Sequence, residues 1–212
     1  MKTAGGGPIK AASIWALLAL CMAVPVAVAA SNPVLASRDV YWIIGGLAGS
    51  VALALLFFQP LLAAGYVPLP SVPVARHWHR WVGSLTMVAV VLHVGSLYLS
   101  SPEDTMDALL LVAPTWFSVY GVIGLVCVVF TAILVAFRKR LRLRYSSWRI
   151  LHNALALLLV VSTIAHALLI DGAMGTVSKI VLCVLVFVAT SLVLIRTHVK
   201  KRPVAMRPSA GP

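Results

Sequence analysis

The stretch WHRWVGSLTMVAVVLHVGSLYLS, residues 78–100, decides how this chain is read. It is long and apolar enough to cross a bilayer core of about 30 Å as a helix. Yet it carries His79 near its start and His93 fourteen residues on. A second stretch, WRILHNALALLLVVSTIAH at 148–166, repeats the arrangement with His152 and His166, again fourteen apart. At about 100° per residue, fourteen steps return to within roughly 40° of the starting direction and advance about 21 Å along the axis. Each pair therefore lies on one face of its helix. Two such helices side by side, running the same way, set His79 opposite His152 and His93 opposite His166.

Working outward, the whole chain has the composition of a membrane protein. Of its 212 residues, 61% are hydrophobic and 10% are charged, with a mean hydropathy of +1.02; soluble domains carry about 25% charge. Six apolar stretches near spanning length are read at 12–30, 40–62, 78–100, 116–137, 149–170 and 177–196. The expectation is an all-α bundle of six transmembrane helices. It forms a single transmembrane domain over 1–212, with a core at 40–196 and a basic tail at 197–212. The first span, 12–30, also has features of a signal peptide or signal anchor: Lys2 and Lys10 before it, and Ala27-Val28-Ala29 at its end. Its apolar run exceeds the 7–15 residues of a signal h-region, which favours a retained span.

A net charge of +12 could suggest a nucleic-acid partner, but the placement of the charge argues for topology. Arg138, Lys139, Arg140, Arg142, Arg144 and Arg149 fall between the fourth and fifth spans. Arg196, Lys200, Lys201, Arg202 and Arg207 follow the sixth, Lys2 and Lys10 precede the first, and Arg76 and Arg80 flank the third. The opposite loops hold Arg38, Asp39, Glu103, Asp104, Asp107, Asp171 and Lys179. By the positive-inside rule both termini are cytoplasmic, in a plasma membrane of bacterial inner-membrane type. Attraction for anionic lipid or an acidic partner is secondary.

Between the spans, Pro68, Pro70 and Pro73 predict an extended connection over 63–76. The acidic stretch 101–115 is expected to be a loop with a short helix near 105–112. Gly45, Gly46, Gly49, Gly121 and Gly124 are read as close-packing positions. Cys21, Cys127 and Cys183 have no paired or CxxC spacing and are read as apolar packing residues.

Ionisable side chains inside spans are costly and mark function. Imidazole suits iron, and two axial imidazoles leave no open coordination position. The matched registers thus point to His79, His93, His152 and His166 as metal ligands holding two haems, and to electron transfer. His77 lies off the shared face and His198 falls in the basic end region, so neither is read as a ligand. Arg76, Arg80 and Arg149 are candidate partners for haem propionates. Gly83, one turn beyond His79, is a candidate site of porphyrin approach. Donors for outer propionates would come from Ser96, Tyr98, Trp116 or Tyr120.

The segments His79-Arg80-Trp81-Val82-Gly83 with Leu92-His93, and Trp148-Arg149-Ile150-Leu151-His152-Asn153 with Ala165-His166, resemble the ferric reductase-like transmembrane family. Pro114 through Tyr120-Gly121 and the Arg138–Arg144 cluster are similar to its fourth span and following basic loop. The resemblance covers roughly 40–196. It implies a six-helix core, b-type haem held by histidines of the third and fifth spans, and electrons moving outward across the membrane. The plan is similar to the haem-binding membrane subunit of the methionine sulfoxide reductase system. Larger members continue into a flavin- and nicotinamide-binding domain, but no GxGxxG follows a predicted strand here. The expectation is therefore no flavin bound by a soluble domain of this chain. The donor would be a separate cytoplasmic flavoprotein or ferredoxin, or quinol, and the acceptor an external molecule or periplasmic oxidoreductase.

Three other readings are distinguishable. A quinol-linked di-haem cytochrome b subunit would take electrons within the spans. A transporter would use the histidines as a relay, but the spans lack acidic residues and inverted broken-helix repeats. A structural subunit would bind no cofactor at all.

Overall fold

The computed structural model describes residues 7–199, and Lys2 and the tail residues Lys200, Lys201, Arg202 and Arg207 lie outside them. Side chains from 197 onward, His198 among them, also lie outside the description. The described elements are α1 (Pro8–Ala30), a 3-10 turn (Pro33–Ser37), α2 (Val40–Ala64), α3 (Val72–Ser100), α4 (Pro102–Leu109), α5 (Trp116–Ala136), α6 (Tyr145–Leu169) and α7 (Thr176–Val199). No strand occurs among the described residues. Six of the helices are long and apolar enough to cross a membrane. The protein is an integral membrane helical bundle, and large apolar side chains such as Leu85, Val88, Val91, Leu158 and Phe187 point outward from it, as a hydrocarbon solvent requires.

One difference from the sequence reading concerns Pro73. The connection is shorter than expected, because α3 begins at Val72 and takes Pro73 into its first turn. A proline there removes an N–H that has no helical partner anyway, and its fixed φ suits the helix. The chain turns after α2 through Gly65, whose φ of 70° is left-handed; that conformation costs a glycine little. The short acidic-loop helix forms at Pro102–Leu109, slightly earlier than expected.

Helix α2 is the hub. Leu53 through Phe58 are consecutively buried, since α3 packs on one flank while α1 and α7 pack on others. Helix α6 packs on α7 and pairs with α5. The result is an arc, α3–α2–α7–α6–α5, with α4 bridging the ends of α3 and α5 on one side of the bundle. The pairs α2/α3 and α5/α6 are the two most extensive helix contacts, whereas α3 and α6 make few direct ones.

Polar clamps fix the helix ends. The Asp39 carboxylate accepts from the Tyr41 and Trp42 amides, capping α2, and from the Ser100 hydroxyl at 2.6 Å, which ties the start of α2 to the end of α3. Lys179 is buried and donates to the Ile170 carbonyl at 2.7 Å beyond α6. At the Arg-rich end, Arg196 donates to the Ala64 carbonyl and covers the Tyr66 ring.

Candidate functional site

The arc brings the four histidines together in two pairs. The rings of His79 and His152 stand with centroids 6.3 Å apart and planes at 76°. Those of His93 and His166 stand 6.2 Å apart at 77°. Helices α3 and α6 thus run parallel and in register, and they face each other across imidazoles. The first pair lies toward the arginine-rich end and is termed here the Arg-end pair; the second is the far pair, on the side bridged by α4.

Each far-pair ring is held from behind by its neighbouring helix. His93 donates Nδ1–H to the Gly45 carbonyl at 2.7 Å, and His166 does the same to the Phe117 carbonyl at 2.7 Å. A carbonyl fixes the tautomer and leaves Nε2 as the free nitrogen. Four residues beyond each carbonyl is a glycine. A Cβ at Gly49 would stand 2.9 Å from His93 Nδ1, and one at Gly121 would stand 2.9 Å from His166 Nδ1. These approaches explain two of the packing glycines: there the packed group is a histidine ring. Gly45, Gly46 and Gly124 meet Leu97, Ala173 and the Ser162–Thr163 hydroxyls instead.

The Arg-end pair is held differently. His79 Nδ1 lies 3.3 Å from the Gln59 carbonyl, and the Gln59 amide donates to the His79 carbonyl at 3.1 Å. His152 Nδ1 is buried with no partner. The Trp148 indole stacks flat on the His152 ring, at 5.3 Å and 5°, and Tyr145 stacks on Trp148. The Arg138 guanidinium lies over Trp148 at 4.6 Å.

The remaining sequence candidates take these places. Arg76 and Arg149 each precede a histidine of the Arg-end pair by three residues; Arg76 is exposed, while Arg149 is half-buried against Tyr145. Arg80 borders a shallow groove with His77, Trp81 and Ser84 on another flank of α3. Gly83 faces α2, where a Cβ would stand 3.0 Å from Gln59 Nε2. Ser96 is buried, and Tyr98 and Trp116 are exposed. Among the described residues no three His, Cys, Asp or Glu side chains converge on one point. The histidines are two-ligand sites, suited to a group that brings its other donors with it. Sequence reasoning missed Gln59, Phe117 and Trp148, because hydropathy does not say which helix stands behind which.

A parallel helix pair with facing imidazoles inside a six-helix membrane bundle is the class of fold and site seen here. Residues 48–163 match the family model of the ferric reductase like transmembrane component. The chain belongs to that family, and with it to membrane redox proteins. The match runs from α2 through most of α6, so it includes His79, His93 and His152 and all the carbonyls and glycines behind the rings except Gly45. No curated protein and no solved structure matches the chain.

Proposed function

We propose that the chain is a haem b membrane cytochrome. It would pass electrons from a cytoplasmic donor at the Arg-rich end to an acceptor on the other side of the membrane. The observation that carries this reading is the ring spacing. An imidazole nitrogen bonds a metal at about 2 Å, with its ring centre about 1 Å further back, so two axial imidazoles have centroids roughly 6 Å apart. Both pairs stand at that separation, 6.3 and 6.2 Å. Few direct contacts join α3 and α6, as a group held between the two helices would require.

In this reading His79 and His152 hold one haem and His93 and His166 the other. Bis-imidazole haem supplies outer-sphere one-electron transfer, since no position on the iron stays open for substrate. The chain's own residues do the rest. The Gly45 and Phe117 carbonyls keep the far imidazoles in the Nδ1–H tautomer and raise their basicity as ligands. Arg149 and Arg76, each one turn before a ligand, compensate propionate charge, with Arg80 as a further cation. Gly83 serves the close approach of α3 to Gln59 and keeps bulk away from the turn above His79. The arginines between α5 and α6 form a cationic face for an acidic flavoprotein or ferredoxin, because complementary charge speeds and orients encounter.

The test is a reduced-minus-oxidised spectrum with pyridine haemochrome quantitation on the purified chain. About two b-type haems per chain are expected. A folded protein without a Soret band would overturn the proposal. Direct reduction by a quinol analogue, without any cytoplasmic reductase, would replace the proposed donor with the quinone pool.

A further inference from the structure

We infer that Thr131 is the positioning residue for His152: when the site is loaded, its hydroxyl becomes the acceptor for His152 Nδ1–H, the one of the four paired imidazoles that no main-chain carbonyl holds. The inference rests on the bis-histidine reading above and deepens it.

Register carries the argument. On α2, the carbonyls facing the two α3 histidines belong to Gly45 and Gln59, fourteen residues apart, matching the step from His93 back to His79. Helices α5 and α6 form an equivalent antiparallel pair, with Phe117 facing His166. The same fourteen-residue step from Phe117 reaches Thr131, and from His166 it reaches His152. Contacts of Gly124 with Leu159, Ser162 and Thr163 show that this register is kept midway.

The chemistry of the pair fits, although the Trp148 indole N–H beside His152 is also buried without a partner. His152 Nδ1 and Thr131 Oγ1 are both buried and both without a hydrogen-bond partner. A buried polar atom left unpaired is costly, so two at one level of a helix pair call for an explanation. Buried hydroxyls in spans ordinarily bond a carbonyl one turn back, as Ser50 and Thr86 do here. Thr131 makes no such bond, and its hydroxyl remains available to a neighbour. A hydroxyl can accept from Nδ1–H as a carbonyl does. Its own proton can turn back to a helix carbonyl.

The experiment uses the full chain in detergent, with Thr131→Val and Thr131→Ser each placed on the His93→Ala background, so that only the Arg-end haem contributes. Haem per folded protein and the ferric low-spin EPR signature are read, with helicity monitored by circular dichroism. Thr131→Val is expected to weaken haem retention roughly tenfold or more, the usual effect of losing a ligand's outer hydrogen bond, and to shift the EPR g-values. Thr131→Ser should restore both. Wild-type retention and g-values in Thr131→Val would overturn the inference, and so would equal loss in both variants, which would assign the effect to packing. If the unsubstituted protein bound no haem, the bis-histidine reading itself would fall, and this inference with it.

Discussion

At the far pair, both rings donate to main-chain carbonyls at 2.7 Å and rest against glycines. At the Arg-end pair one such distance has lengthened to 3.3 Å, and the other ring has no Nδ1 partner and an indole stacked on its face. The spacing between rings is nearly the same in both. What differs is how firmly each ring is fixed before anything binds it. Backbone carbonyls of a helix barely move, whereas side chains must be ordered at an entropic cost. The far pair is the more preorganised site, and the Arg-end pair is the more adaptable one.

The largest expected effect is loss of a whole site. His166→Ala should remove about one haem per chain and leave the Arg-end absorbance, while His152→Ala should do the converse. Pyridine haemochrome quantitation reads both, and equal loss of both haems in either variant would break the independence of the pairs. Next in size is the glycine cradle. Gly121→Val places carbon where the His166 ring stands, and should weaken far-site haem retention by roughly ten- to a hundredfold while sparing the other site. Stepwise haem titration of apoprotein should then fill the far site first in the wild type and the Arg-end site first in Gly121→Val.

A smaller effect is expected from Gln59→Leu, which removes the amide bond to the His79 carbonyl but keeps the Gln59 main-chain carbonyl. One hydrogen bond of about 1 kcal/mol corresponds to a few-fold change, confined to the Arg-end site and read from its retention. The smallest lies outside both sites, about two helical turns beyond the far pair. Asp39 is held below the ordinary carboxylate range by the Ser100 hydroxyl and then the Trp42 amide. A depressed pKa gives stability that is present above the ordinary carboxylate value and is lost as pH falls through the lowered one. Asp39→Ala should therefore lower the thermal midpoint modestly at neutral pH, and the difference from wild type should shrink in acid. A gap that stayed constant down to strongly acidic pH would assign the effect to packing.

Much of this comparison was invisible in the sequence, while its frame was plain. Apolar runs and charge placement located all six spanning helices, because a bilayer imposes length and leaves cations at the ends. The fourteen-residue step placed His79 against His152 and His93 against His166, because helix periodicity is local. The carbonyls of Gly45, Gln59 and Phe117 carry no residue signature, since any residue offers one. Gly49 and Gly121 were legible as packing positions, but their partner depends on which helices are neighbours, which periodicity does not contain. Trp148 stands one helical turn before His152, and an aromatic in that place is the pattern that stacking on a buried histidine would leave. Pro73 is ambiguous in the sequence for a simpler reason: proline both breaks helices and begins them, as it does at the start of α3.

The arc of helices has one more consequence. Its two leaves, α2 with α3 and α5 with α6, are joined along the α7 spine with its apolar core and by the short α4 strap, and four imidazole rings face one another between them. Such an object is a book with a clasp. Whatever bridged the imidazoles would also tie the first half of the chain to the second.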